Sequence, residues 1–242
     1  MLKSVDDIES INPWLEYWNR KNIWANSNLW RKQIEVFVRL SDDIMSYGPE
    51  DKVLDFGCGS GHFAEVIAER VGSIVCADVS EHFLGMCRNK FAAQPNVDVL
   101  QISPDLNNLS DLGSGFTKVI CFSVMHYFDQ LDSVAAFVEQ MQKACTPGAK
   151  LLIGDIGNAH RTWKDYLRSL AYVVREDMVL DVITLTAKLW LFDRHYRRIK
   201  QGGQSYLHIP AHYLETLGVK LGVKVTRLPM QFTVNSNYLN VL

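Results

Sequence analysis

From Leu29 to Met45, apolar residues recur at Trp30, Ile34, Phe37, Leu40 and Ile44, three and four apart. That period places them on one face, so the pattern predicts an amphipathic helix, ended by Gly48-Pro49. Five short runs follow that are apolar almost throughout: Lys52–Phe56, Ser73–Ala77, Val97–Ile102, Thr117–Phe122 and Lys150–Gly154. Between them lie helical stripes. Phe63, Val66, Ile67 and Val71 form one, and Phe83, Cys87 and Phe91 form another, with Ser80 placed to cap it. Val134, Phe137, Val138, Met141 and Cys145 form the most regular one, and Thr146-Pro147-Gly148 reads as a turn after it. Strands with no polar alternation are covered by helices on both faces. The alternation therefore predicts strand-helix-strand units with parallel pairing and right-handed crossovers, a Rossmann-like α/β fold.

The regularity stops after the fifth run. Between Asp155 and Gly222 lie 66 residues, more than one crossover helix needs. They hold apolar helical stretches at Trp163–Val174 and Met178–Phe192 and a basic run at Asp193–Lys200. Residues 157–221 are expected to form an inserted helical cap. Val223–Leu228 reads as a sixth strand, Asn235-Ser236-Asn237 as a turn and Tyr238–Leu242 as a last, seventh strand. Residues 1–48 form a separate expectation. Trp14, Tyr17, Trp18 and Trp24 crowd a polar-rich stretch there. They fit either a helical lid that excludes water from a site or a segment packed on the sheet edge.

Composition narrows the classes. The chain has 242 residues, 48 % hydrophobic and 21 % charged, enough to bury a full core and too apolar for general disorder. A net charge of −2 argues against nucleic-acid binding by bulk electrostatics. MLKSVDDIESINPW has no apolar leader, and charges break Leu167–Phe192 at Arg175, Glu176, Asp177, Asp181 and Lys188. No membrane span and a cytoplasmic location are expected. The five cysteines include no CxxC and read as reduced, buried thiols.

The chemistry-bearing motif is Asp55-Phe-Gly57-Cys-Gly59-Ser-Gly61-His62, after the first strand and opening a helix. Alternate glycines permit a tight turn and let a ligand press on the backbone. A dinucleotide fingerprint wants Gly-x-Gly-x-x-Gly, but here the third glycine comes one residue early, and position 62 is His. Asp55 would repel a pyrophosphate yet suit an ammonium group. Asp78 ends the second strand, where a carboxylate can accept both hydroxyls of a ribose. Its plain alternative is a helix-capping role.

VLDFGCGSG (53–61), CADVS around Asp78, KVICFSVMHY (118–127) and TPGAKLLIGD (146–155) together resemble the class I S-adenosylmethionine-dependent methyltransferases. The likeness covers about residues 50–156 and, weakly, 222–242, within a domain spanning 49–242. It implies a seven-stranded, mostly parallel sheet whose last strand is antiparallel, with S-adenosyl-L-methionine as cofactor. It further implies that Gly57, Gly59 and the neighbourhood of Asp55 hold the methionine part and Asp78 the ribose, that Cys58, Gly61 and Val79 also bind the cofactor, and that Phe122 and Ser123 pass beside it. The family often has an Asp directly after strand three to read adenine. Here Ile102 or Ser103 falls there, so Ser103 and Asp105 are the candidates.

A sulfonium methyl is strongly electrophilic, so transfer needs mainly approach and alignment. A hydroxyl acceptor also benefits from a base, and His126, just beyond strand four, is the first candidate; a loop histidine bonded to backbone is the plain alternative. Trp18, Tyr127 and His160 are candidates for the acceptor pocket. His208 and His212 bracket Pro210, so no metal site is expected. The basic cluster of Arg194, Arg197, Arg198 and Lys200 is a solvated helix end or an anion contact, and the apolar cap helices are core, a greasy pocket or a homodimer face. The cap and the lack of a (D/N)PP(Y/F) motif favour a small-molecule acceptor over nucleic acid, with oxygen as the methylated atom. The alternatives are an NAD(P)-dependent oxidoreductase and a non-catalytic protein that binds the same nucleoside.

Overall fold

Apolar strands covered on both sides build the centre of the molecule. The computed structural model describes residues 13–25, 27–156, 162–202, 206–210, 212–228 and 236–241, the last as backbone. The strands are β1 (Lys52–Phe56), β2 (Ser73–Asp78), β3 (Val97–Gln101), β4 (Phe116–Phe122), β5 (Cys145–Ile156), β6 (Lys224–Leu228) and β7 (Ser236–Val241). Their order in the sheet is β3-β2-β1-β4-β5-β7-β6. The pairs among β1 to β5 are all parallel. At the edge, β7 runs antiparallel to both β5 and β6. The fold is a Rossmann-like α/β architecture. Strand order reverses between β1 and β4, and a crevice opens there at the carboxyl ends of the strands.

The helices are α1 (Pro13–Trp18), α2 (Asn28–Met45), α3 (His62–Ile67), α4 (Glu81–Lys90), α5 (Leu131–Ala144), α6 (Trp163–Arg175), α7 (Val179–Phe192), α8 (Arg194–Gln201) and α9 (Tyr213–Leu221). Alternate strand residues divide between two cores. Val53, Ile74, Ile120 and Leu152 pack with Ile34 and Phe37 of α2 and with Phe63 and Ile67 of α3. Leu54, Phe56, Val119 and Leu151 pack with Val134, Phe137 and Met141 of α5 and with Leu214 and Leu217 of α9. Each such side chain contributes about 1.5–3 kcal/mol by leaving water.

The inserted helices attach to the N-terminal ones. Tyr172, Met178, Leu185 and Leu189 of the α6–α7 hairpin bury against Leu29 and Val36 of α2. Lys32 pairs with Asp181 at 2.8 Å, and Arg39 pairs with Glu176. Trp14 and Tyr17 of α1 cluster with Ile199 of α8, and the Tyr17 hydroxyl donates to Asp193 at 3.0 Å.

Two predicted turns are corrected. Thr146-Pro147-Gly148 lies inside β5, where the register against β4 jumps from Phe116↔Cys145 to Lys118↔Lys150. The chain bulges there instead of turning, with Gly148 at φ 82°. Ser236 and Asn237 belong to β7, paired with Ile156 and Leu228. Ladder pairing overrides the turn preference of Ser and Asn. Asn235 lies outside the described residues. Among those described, no helix is long and apolar enough to cross a membrane.

Candidate active site

A cavity of about 670 Å³ opens at the carboxyl ends of β1, β2, β3 and β4. Strand ends supply Phe56, Gly57 and Gly59, then Asp78 and Val79, then Ile102 and Asp105, then Phe122 and Ser123. Opposite them stand Trp18, Trp24, Trp30 and Tyr127. The sheet therefore forms the floor and the N-terminal aromatics form a wall.

Local geometry explains the glycine loop. Gly57 has φ +75°, and a Cβ there would lie 2.2 Å from Val124 Cγ2. Only glycine lets the turn pass under the segment after β4. The Gly57 and Cys58 N–H groups both donate to the Ala77 carbonyl, at 2.7 and 3.1 Å, which ties the loop to the end of β2.

Asp78 is the centre of the arrangement. Its Oδ2 accepts the Gly59 N–H and its Oδ1 the Ser80 N–H, both at 2.8 Å. Burial pushes its carboxyl up, and these backbone donors oppose that. Both oxygens keep lone pairs that can accept further hydrogens. Ser80, not Asp78, caps α4: its Oγ accepts the Phe83 N–H at 3.3 Å. The same hydroxyl donates to the Trp18 carbonyl at 2.9 Å, joining the aromatic wall to the strand end.

Asp55 lies behind the loop and off the cavity wall. Its Oδ2 is buried without a hydrogen-bond partner. Burial first, and then the Asp78 carboxylate, push its pKa up to about 8. Holding its proton, this carboxyl presents a hydrogen-bonding group beside the glycine cradle and not a full negative charge.

The other sequence candidates divide. Val79, Asp105, Phe122, Ser123, Trp18 and Tyr127 line the cavity with Gly57, Gly59 and Asp78. Asp105 is held by hydrogen bonds from the Ser103 hydroxyl and the Asn107 amide; the hydroxyl keeps its carboxyl below the ordinary range. Ser123 adopts φ +58°, and its N–H donates to the Gly154 carbonyl at 2.9 Å, a strained position for a non-glycine residue. Cys58, Gly61 and Ser103 support the loops without reaching the wall. His160 lies outside the described residues. His126, which the sequence sets beside the acceptor, does not line the cavity. Its ring packs on Tyr127 at 4.2 Å and on Tyr206 at 4.7 Å, because the short 3-10 turn after β4 directs Tyr127 to the wall instead. Burial, then Lys200, lowers its pKa to about 4, and its Nδ1 has no partner.

Sequence reading missed several wall residues, among them Trp30, Phe83, Phe128 and Asp129. Trp30 carried only a helix-stripe signal, and Phe83 only a capped-helix one. Among the described lining residues the charged ones are Asp78, Asp105 and Asp129, with no Lys, Arg or His. Carboxylates and aromatic faces attract a cation and disfavour an anion.

Comparisons with known proteins place the chain among methyltransferases. A family model described as "Methyltransferase domain" matches residues 54–151. Over 119 residues the chain is 33 % identical to the chondramide synthase of Chondromyces crocatus, covering 48 % of this chain and 3 % of that one. Over 158 residues it is 30 % identical to the demethylmenaquinone methyltransferase of Corynebacterium urealyticum, covering 63 % and 61 %. It spans about half of other curated relatives, such as 48 % of the ubiquinone biosynthesis O-methyltransferase of Agrobacterium fabrum, at 28 % identity over 53 % of this chain. Among solved structures, the fold is similar to that of an S-adenosylmethionine-bound amino pentose methyltransferase from Micromonospora echinaspora. The TM-score is 0.58 at 14 % identity, over 93 % of this chain and 94 % of that one.

Proposed function

We propose, from the premise that residues 54–151 are a methyltransferase domain of the class I, S-adenosylmethionine-dependent type, that the chain methylates a hydroxyl oxygen on a small, neutral, largely apolar acceptor. S-adenosylmethionine is the cofactor, and when bound it supplies an electrophilic methyl group on a positively charged sulfur. The residues present fit it. Gly57 and Gly59 leave room for close approach, and Asp78 retains lone pairs for the ribose hydroxyls. The unpartnered Asp55 carboxyl offers a hydrogen-bonding group behind the loop for the amino-acid part. Val79 and Ile102 offer apolar surfaces for the base, with Asp105 placed to accept from its amino group.

Catalysis in this reading is mostly alignment. The floor fixes the methyl donor, and Trp18, Trp24, Trp30 and Tyr127 hold the acceptor in line while excluding water. Residues 13–30 act as the lid, and the helices within 157–221 act as the cap that braces it. The base role expected of His126 has no support from its placement, so it is put to a separate test below.

One observation carries the proposal: a single cavity joins the glycine loop and Asp78 to an aromatic wall without a basic side chain among its described lining. That lining favours a neutral acceptor over a phosphorylated or carboxylated one. The similarity to two quinone-named methyltransferases supports a cyclic, apolar acceptor class. Methyl-labelled S-adenosylmethionine, offered with simple phenols and with their carboxylated analogues, tests it. Label should pass to the phenols. Transfer only to anionic or amine acceptors would overturn the acceptor assignment. Thermal stabilisation by NAD(P) and none by S-adenosylmethionine or its demethylated product would overturn the whole reading.

A further inference from the structure

The α6–α7 hairpin is amphipathic with an unusual orientation. Its inner face is buried against α2, yet its outer face is apolar as well. Along α6, Trp163, Leu167, Leu170 and Val174 fall at spacings of four, three and four on one exposed stripe. Along α7, the exposed Leu180, Ile183, Trp190 and Leu191 share one face, and the exposed Phe192 stands beside it. Leu167 is 53 % exposed, Leu180 78 % and Phe192 73 %. So many large apolar side chains on one surface exceed what chance exposure explains.

Charge says what covers this face. Lys164, Arg168 and Arg175 sit one position round α6 from the stripe, and Lys188 flanks that of α7; all four are exposed. Arg194 and Arg198 of the following helix α8 are exposed as well. The acids of the hairpin are mostly paired with a cation or a backbone donor. Glu176 is engaged by Arg39 and also by Arg175 of the rim at 2.7 Å, and Asp181 is engaged by Lys32. Asp165 accepts the Thr162 N–H at 2.8 Å at the start of α6 and lies 3.7 Å from the exposed Arg168 guanidinium. Asp177 is the exposed exception, and its carbonyl accepts from Lys32 at 3.0 Å. An apolar stripe rimmed by cations, on a chain whose net charge is −2, is a local feature and not a reflection of overall composition.

We propose that the α6–α7 hairpin docks this chain onto an anionic lipid bilayer, lying in the interface with its apolar stripe inserted and its basic rim against the headgroups. A second copy of the chain is the competing occupant, and the rim argues against it. Two-fold pairing would bring one cation-rimmed face against another and gather like charges around the seam. The proposal does not depend on the acceptor assignment.

Co-sedimentation of the full chain with sucrose-loaded vesicles tests it. Vesicles of phosphatidylcholine with phosphatidylglycerol should retain at least about five-fold more protein than phosphatidylcholine alone, and added salt should release it. A Leu167→Gln, Leu170→Gln, Leu180→Gln variant should lose that binding with an unchanged melting temperature and cofactor affinity. A Lys164→Glu, Arg168→Glu variant should lose only the preference for anionic lipid. Failure of the unaltered chain to pellet with either vesicle, or equal pelleting of both variants, overturns the proposal. So does a dimer in sedimentation velocity that the leucine variant converts to monomer, since the face then belongs to a second copy.

Discussion

The Asp78 carboxylate holds the Gly59 N–H at 2.8 Å, so the residue expected to grip the ribose also fixes the glycine loop expected to cradle the rest of the cofactor. Loop position and sugar recognition are therefore coupled through one side chain. The second oxygen, on the Ser80 N–H, carries that coupling into the start of α4 and, through the Ser80 hydroxyl, to Trp18.

Gly57→Ala should destabilise the chain by about 2–4 kcal/mol, combining overpacking against Val124 with the cost of a positive φ. Adding Val124→Ala should recover only the packing part, because the backbone strain stays. Denaturant melts of the two single variants and the double variant check this. Full recovery would mean that φ carries no cost.

Asp55 gives a pH signature. In the fold its carboxyl keeps its proton up to about pH 8, whereas in the unfolded chain it ionises near its ordinary value of 3.8. Between those values the unfolded chain binds fewer protons, so this group's contribution to stability is full below pH 4 and is lost as pH rises toward 8. Asp55→Asn should therefore gain stability over the parent chain as pH rises, by about 2–4 kcal/mol across the window. Urea melts at pH 5 and pH 8 measure it, and parallel curves for the two proteins would refute the buried, protonated carboxyl.

His126 stands behind Tyr127, so His126→Ala should lower turnover less than about ten-fold, by loosening that ring. A general base would cost about 100-fold or more. Initial rates at saturating cofactor decide it, and a loss of the larger size with unchanged cofactor affinity would restore the base role.

The parallel part of the sheet was legible because buried strands and amphipathic helices leave regular apolar periods, as in Lys52–Phe56 and Val134–Met141. The carboxyl-end position of Asp78 was legible for the same reason: it follows a strand whose end the pattern marks. What sequence spacing could not show was depth. His126 and Tyr127 are neighbours in the chain, yet one faces the cavity and the other does not, and a short 3-10 turn decides which. Nor could it show that the Ser80 hydroxyl reaches the Trp18 backbone, since a main-chain carbonyl carries no residue signature. The bulge at 146–149 was read as a turn because Pro and Gly signal both.

The account rests on cofactor capture by Asp78 and the loop it holds. Calorimetric titration of the parent chain and Asp78→Ala with S-adenosylmethionine tests this directly. The parent should bind, and the variant should bind about 10- to 150-fold more weakly, the 1.5–3 kcal/mol scale of hydrogen bonds to a charged group. Equal dissociation constants for the two proteins, or no heat of binding from the parent, would contradict it.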